Sequence, residues 1–134
     1  MELLIVFLGG SIGALLRYGF YLLASTFGLP VAGTFFANIL GCIIVGFLMH
    51  LETDNNYHLD KNLKLFFMTG IIGSFTTFST YSYEILTMIQ QGKIHYGLVY
   101  LLSSLVIGMS AILFGFWLES FIMPRKITVE NDED

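Results

Sequence analysis

Residues 69–84 of the chain read Thr-Gly-Ile-Ile-Gly-Ser-Phe-Thr-Thr-Phe-Ser-Thr-Tyr-Ser-Tyr-Glu. The stretch lies in an otherwise apolar segment, residues 65–91, that is long enough to cross a bilayer. Gly70, Gly73 and the threonines lower its helix propensity, and its hydroxyl groups would find no hydrogen-bond partner in hydrocarbon. Those hydroxyls belong to Ser74, Thr76, Thr77, Ser79, Thr80 and Ser82. We therefore predict a transmembrane helix that is broken near its middle and whose freed groups face a permeation pathway or an ion site.

The composition indicates an integral membrane protein. Of the 134 residues, 55% are hydrophobic and 12% are charged, and this charged share is about half that of a soluble domain. The charges leave four apolar windows, residues 3–28, 31–51, 65–91 and 94–118, and each window meets the length of about 20 residues that a spanning helix requires. We predict an all-α membrane protein with four transmembrane helices, the third broken mid-membrane, in one domain over residues 1–123.

The residues outside the windows set expectations for topology. The first window lacks a basic leader and is too long for the apolar core of a cleavable signal peptide. Four of the Lys and Arg residues flank the windows on the side of the termini, and the other side has Lys93 alone, or Lys93 and Arg17 if the Arg17 side chain extends to that interface. The positive-inside rule therefore favours cytoplasmic termini only modestly and leaves insertion in both directions open. We expect the acidic tail, residues 124–134, to be disordered. The lone Cys42 excludes an intramolecular disulfide.

Small residues in the first two windows are typical of closely packed transmembrane helices. Small residues recur there at intervals of four, as Gly9 and Gly13 and as Gly33, Ala37 and Gly41, a spacing that lets a neighbouring helix approach closely. The predicted packing positions are Gly9, Gly10, Gly13, Gly33 and Gly41.

Three polar side chains inside the windows each allow two interpretations. Arg17 either extends to the membrane interface or supplies an anion-attracting charge in a vestibule. Asn38 must be hydrogen-bonded if it is buried, either as a clasp between helices or as an uncharged donor that lines a pore. Ser104 shares a helix face with Gly108, and its hydroxyl is either bonded to its own helix or functional. We find no Walker loop, zinc-protease motif or nucleophile elbow, so we do not expect an enzyme.

Three stretches together resemble the Fluc (CrcB-type) fluoride channels. They are Gly9-Gly10 through Arg17-Tyr18, then Gly33-Thr34 with Asn38 and Gly41, then Gly73-Ser-Phe-Thr-Thr-Phe-Ser-Thr. Their order, their spacing and the four-span length agree, and the resemblance covers nearly the whole chain up to Pro124. It implies a passive, fluoride-selective channel that exports fluoride from the cytoplasm across the plasma membrane. It also implies an antiparallel dimer with two pores, formed with a second copy of this chain or with a related chain.

The resemblance also implies roles for individual residues. A structural Na⁺ on the dimer axis would be held by the backbone carbonyls of Gly73 and Thr76. The pore-facing aromatic pair corresponds to Phe78 and Tyr81, and the pore amide to Asn38. Further expected roles are an arginine near the pore entrance and hydroxyl donors along the pore; these residues are Arg17, Thr77, Ser79, Thr80 and Ser104. The chain departs from the family pattern at Tyr81, where a second Phe is usual, and at Ser74, where a second Gly is common.

The chemistry of these residues suits a small, tightly hydrated anion. Aromatic ring edges carry partial positive charge, and amide and hydroxyl groups donate hydrogen bonds without a fixed charge that would trap the ion. We expect fluoride, membrane lipid and an inverted partner chain as partners, and no nucleic acid. Two alternatives stay open. A proton-coupled small multidrug exporter would need a carboxylate within the membrane, for which Glu84 is available, and a non-conducting accessory subunit would use the same residues for assembly alone.

Overall fold

The computed structural model describes residues 1–53 and 58–123, and within these residues the chain is helical with short connections and no strand. Of the helices in this described part of the chain, three are long and apolar enough to cross a membrane. They are α1 (Glu2–Thr26), α2 (Pro30–Thr53) and a last helix, Ile94–Ile122. The acidic tail predicted at residues 124–134 lies outside the described part of the chain.

Between α2 and the last helix, the segment 61–90 consists of four helical pieces. They are α3 (Lys61–Lys64), a π-helix (Leu65–Ile72), α4 (Gly73–Phe75) and α5 (Phe78–Gln90), so the last helix is α6. The interruption between α4 and α5 falls at Thr76 and Thr77, within the stretch where the sequence predicted a break. None of these pieces alone reaches the length of a spanning helix.

The helix ends follow the local sequence. Pro30 opens α2, where its missing N–H costs least. Asp60 caps α3 by accepting a hydrogen bond from the Asn62 backbone N–H at 2.9 Å. Gly28, in the turn between α1 and α2, and Gly92, in the turn between α5 and α6, have positive φ angles of 73° and 76°, a backbone conformation that glycine adopts without strain.

Glycines bring the helices into backbone contact. A Cβ atom at Gly9 or Gly13 of α1 would overlap the carbonyl oxygens of Phe66 and Ile71 in the π-helix. A Cβ atom at Gly33 would lie 2.7 Å from the carbonyl oxygen of Phe20. The first half of the segment 61–90 therefore packs on α1. Its second half, α5, packs on α6, with Tyr81, Ile85 and Tyr100 forming a buried cluster.

The α2–α6 contact depends on glycines of its own. A Cβ atom at Gly46 would overlap the Ile112 carbonyl oxygen, and one at Gly115 would overlap the Ile43 carbonyl oxygen. Gly10 lies close to Ser74, since a Cβ atom there would be 3.2 Å from the Ser74 hydroxyl oxygen. The helices thus meet along rows of small residues, as expected where lipid supplies no hydrophobic drive for helix association.

Candidate functional site

The centre of the molecule is the break between α4 and α5. Thr76 (φ −80°, ψ 153°) and Thr77 (φ −151°, ψ 123°) both have extended backbones. Two consecutive β-branched residues favour this conformation over helix. The helix stops at Phe75 and resumes at Phe78, so the N–H and C=O groups at the break need partners other than the helix itself.

Asn38 on α2 supplies two of those partners. Its side-chain Nδ2 donates a hydrogen bond to the Thr77 carbonyl oxygen at 3.1 Å, and its Oδ1 accepts one from the Thr77 N–H at 2.8 Å. In an unbroken helix the same N–H would go to the carbonyl of Gly73. The clasp between helices that the sequence analysis considered for Asn38 is therefore present, and it diverts the helical donor away from Gly73.

The Thr77 side chain takes a second N–H group away from its usual helical acceptor. Its Oγ1 accepts a hydrogen bond from the Thr80 backbone N–H at 3.2 Å and caps α5. In a continuous helix this N–H would be donated to the carbonyl of Thr76. The Thr76 methyl group lies where a Cβ atom of residue 41 would be, so Gly41 on α2 makes room for the break. The carbonyls of Gly73 and Thr76 thus both lose their usual helical donor.

A cavity of about 350 Å³ opens beside the break, between α2, α5 and α6. Its polar groups come from Asn38, Thr76, Thr77, Tyr81 and Ser104, and its walls are otherwise apolar. The Ser104 hydroxyl oxygen is buried and has no hydrogen-bond partner among the described residues. The cavity therefore offers uncharged hydrogen-bond donors in an apolar setting.

Two aromatic rings border the same cavity. Phe78 is 80% exposed, and its ring centroid lies 6.0 Å from that of Tyr81. Tyr81 is buried, and its hydroxyl donates a hydrogen bond to the Leu101 carbonyl oxygen at 2.9 Å. The hydroxyl that distinguishes Tyr81 from phenylalanine is thus directed to the backbone of α6.

Three residues expected at the pore lie outside this cavity. Arg17 and Thr80 line a smaller cavity of about 220 Å³, together with Thr34. Ser79 is exposed, and its hydroxyl lies 3.2 Å from that of Thr77. The structure therefore places Arg17 near part of the hydroxyl cluster but in a separate space from Asn38.

A carboxylate that the sequence analysis considered only for the exporter alternative has two hydroxyl partners. Thr34 Oγ1 donates a hydrogen bond to Glu84 Oε1 at 2.7 Å, and the Tyr100 hydroxyl donates one to Oε2 at 2.9 Å. Thr34 is 50 residues away in sequence and Tyr100 is 16. The sequence signal for this cluster was Glu84 itself, because it is the only formally charged residue in the window 65–91.

Comparison with known proteins gives the family. The family model described as "CrcB-like protein, Camphor Resistance (CrcB)" matches residues 4–116. The chain belongs to the CrcB family. Its relatives include a protein of Salinibacter ruber named fluoride-specific ion channel FluC, 41% identical over 130 residues that cover 95% of this chain and 96% of the relative. A protein of the same name from Azobacteroides pseudotrichonymphae is 40% identical over 122 residues, 90% of this chain and 97% of the relative.

Family membership confirms the resemblance that the sequence predicted. A third relative, from Phocaeicola vulgatus, is 37% identical over 121 residues, 87% of this chain and 97% of its own length, and it bears the same name. These relatives are named as ion channels rather than enzymes, in agreement with the expected absence of enzymatic activity. Together with the three long apolar helices, they identify this CrcB protein as an integral, multi-pass membrane protein.

One buried pair in the CrcB chain was missed in the sequence. The fourth window was predicted to end at residue 118 without a charge, but α6 continues to Ile122 and includes Glu119. Glu119 is 2% exposed and pairs with His50 of α2, a residue near the predicted end of the second window. Since α2 also continues beyond its predicted end at residue 51, to Thr53, both side chains lie inside packed helices.

Proposed function

We propose that this chain is a fluoride-selective passive ion channel that exports F⁻ from the cytoplasm. The observation that carries the proposal is the cavity beside the break, which brings uncharged donors and ring edges together. Fluoride is small and tightly hydrated, so a pore must replace its water with donors that still let it leave. The relatives named as fluoride-specific ion channels support the same function.

The donors near the break fit this role individually. An amide has two N–H groups; Asn38 uses one for the Thr77 carbonyl, and the second is available to an anion. The Ser104 hydroxyl is buried at the cavity without another partner among residues 1–53 and 58–123. Phe78, which is 80% exposed, can turn a ring edge toward an ion. Among the described residues, no Lys or Arg side chain lines this cavity, so these residues place no fixed cation there that would hold fluoride too tightly.

The outward direction follows from the membrane potential. A channel without an energy source passes its ion down the electrochemical gradient. Because the cytoplasm is negative, an anion is driven outward by about 2.3 kcal/mol for each 100 mV. Passive conduction is therefore sufficient for export.

We further propose that the segment 65–90 forms a fourth crossing, broken mid-membrane, and that two chains assemble in antiparallel orientation. The segment runs from its contacts with α1 to its contacts with α6, and the turn at Gly92 follows it directly. The weak charge bias between the two sides of the membrane is compatible with insertion in both directions. Mapping the accessibility of the termini in cells that express only this chain tests the assembly. A single orientation would require a related chain as the partner.

The carbonyls of Gly73 and Thr76 fit a structural Na⁺. Carbonyl oxygens released from helical hydrogen bonding are good ligands for a hard cation. The Thr77 and Thr80 N–H groups, which would bond to these two carbonyls in a helix, are donated to Asn38 Oδ1 and Thr77 Oγ1 instead. Two carbonyls from each chain would give four oxygens around a two-fold axis. In the described part of the chain, no group of three His, Cys, Asp or Glu side chains could hold a metal.

Sodium dependence can be measured without relying on transport alone. We expect the purified protein to melt at a higher temperature in sodium chloride than in choline chloride at the same ionic strength, because a ligand that binds only the folded state stabilises it. Fluoride flux should also fall when Na⁺ is removed from both sides. Equal melting temperatures and equal flux in the two salts would contradict the sodium assignment.

Fluoride efflux from liposomes tests the function itself. We expect rapid efflux that requires valinomycin, because an uncoupled anion current must be balanced by potassium, and a rate that does not depend on pH. A rate that follows an imposed proton gradient would favour the exporter, for which Glu84 is the candidate carboxylate. Absence of flux at any pH would favour the non-conducting accessory subunit.

A further inference from the structure

A second large cavity, of about 560 Å³, lies at the end of the molecule where α5 is followed by α6. Its lining comes from the start of α2, the last turns of α5, the connection to α6 and the first turn of α6. The charged lining residues are Glu84 and Lys93. Glu84 also accepts hydrogen bonds from the hydroxyl groups of Thr34 and Tyr100. Thr34 in turn lines the smaller cavity that contains Arg17.

The backbone holds Lys93 in a fixed place in this cavity wall. The Lys93 N–H donates a hydrogen bond to the Met88 carbonyl oxygen at 2.9 Å, and the Lys93 carbonyl accepts one from the Gly97 N–H at 3.2 Å. Gly92, with its positive φ of 76°, makes the preceding turn. Lys93 is therefore anchored between α5 and α6, and its side chain is exposed at this end of the molecule.

Lys93 is the only formally charged residue in the two connections at this end, residues 27–29 and 91–93. Within residues 1–53 and 58–123, no carboxylate forms an ion pair with it. The lysines near the opposite end differ in this respect, since Lys61 pairs with Glu2 and Lys64 pairs with Glu52. The full charge of Lys93 is thus available to solution.

We propose that Lys93 gathers anions at this end of the molecule and so raises the rate at which fluoride reaches the channel. The inference rests on the proposed function. An exposed ammonium group attracts a passing anion through its field and releases it easily, because water surrounds both. His95, exposed at the start of α6, is the other titratable group next to Lys93 in the chain.

The size of the effect follows from elementary electrostatics. In water, one unit charge about 7 Å away changes the local concentration of a monovalent anion about two- to threefold when salt is low. At about 10 mM ionic strength screening is slight, whereas at about 300 mM the Debye length is shorter than this separation. We therefore expect Lys93→Gln to lower the initial efflux rate about twofold in low salt and hardly at all in high salt, and Lys93→Glu to lower it about fourfold in low salt.

The experiment measures initial fluoride efflux from vesicles of neutral phospholipid at both ionic strengths. Lys93→Arg keeps the charge and should retain the wild-type rate. Gln91→Ala changes another residue of the same cavity wall without changing charge and should also retain it. Wild-type rates for Lys93→Gln in low salt would overturn this inference alone, and so would a loss of equal size at both ionic strengths, which would indicate a structural or lipid-binding role. Absence of flux in the wild-type protein would instead overturn the proposed function.

Discussion

The Asn38 clasp leads to the most direct test of the site. In Asn38→Ala the Thr77 N–H and C=O lose partners at 2.8 and 3.1 Å, and Thr77 is only 8% exposed. A buried polar group left without a partner costs about 1–3 kcal/mol, so two of them would destabilise the extended conformation by about 2–6 kcal/mol. Because each 1.4 kcal/mol corresponds to a tenfold change in population, the break should rearrange or hydrate.

Two measurements follow that expectation. Fluoride efflux from liposomes should fall more than tenfold in Asn38→Ala, while the variant still migrates as the same oligomer in detergent. Amide hydrogen exchange in residues 76–81 should become faster, because the clasp protects the Thr77 N–H directly. Cys42→Ala is the matched control, since Cys42 lines the same cavity one turn further along α2 and contributes no hydrogen bond to the break. Unchanged flux and unchanged exchange in Asn38→Ala would refute the assignment of the clasp.

Three further predictions concern the pore, the buried pair and the helix contacts. Phe78→Ile should lower fluoride efflux and leave the oligomer intact in detergent, because it removes an exposed ring edge without opening a core; efflux at the wild-type rate would remove Phe78 from the pore lining. His50→Ala should destabilise the protein by about 1–3 kcal/mol, because it leaves the Glu119 carboxyl group, which is 2% exposed, without its hydrogen-bond partner; thermal unfolding measures the change, and an unchanged melting temperature would show that the pair does not contribute to stability. Gly13→Ala should destabilise α1 against the π-helix by at least about 1–3 kcal/mol, because its Cβ would overlap the Ile71 carbonyl oxygen; Gly19→Ala, where a Cβ meets no atom within 4 Å, should be neutral, and equal stability of the two variants would contradict this packing.

The class of the protein could be predicted from composition, because every segment that spans hydrocarbon needs about 20 consecutive, mainly apolar residues. The position of the break could also be predicted, since glycines followed by a run of threonines and serines are poor helix formers wherever they occur. The pattern of Asn38, Gly41 and the threonine run pointed to the right family. These features are local, or depend on order along the chain, so no knowledge of packing was needed.

Pairings between distant residues could not be predicted in the same way. The sequence left open whether Asn38 was a clasp or a pore donor, because that depends on which backbone groups of residues 76–80 lie opposite it. The hydroxyl partners of Glu84 and the pairing of His50 with Glu119 likewise require α2 and α6 to be placed side by side. The length of α6 mattered as well, since a hydropathy window ends at the first charge although a helix that buries that charge continues.

The sequence by itself determined that the chain enters the membrane. It also determined at which residues helix propensity is lowest, and which side chains at those residues can donate hydrogen bonds to an anion. The tertiary structure alone decided which backbone groups are released at the break. Whether the Gly73 and Thr76 carbonyls keep their helical donors depends on Asn38 Oδ1 and Thr77 Oγ1 lying near enough to take those N–H groups. Hydrogen bonds are short-ranged and directional, so that outcome depends on how the helices pack and not on the order of residues alone.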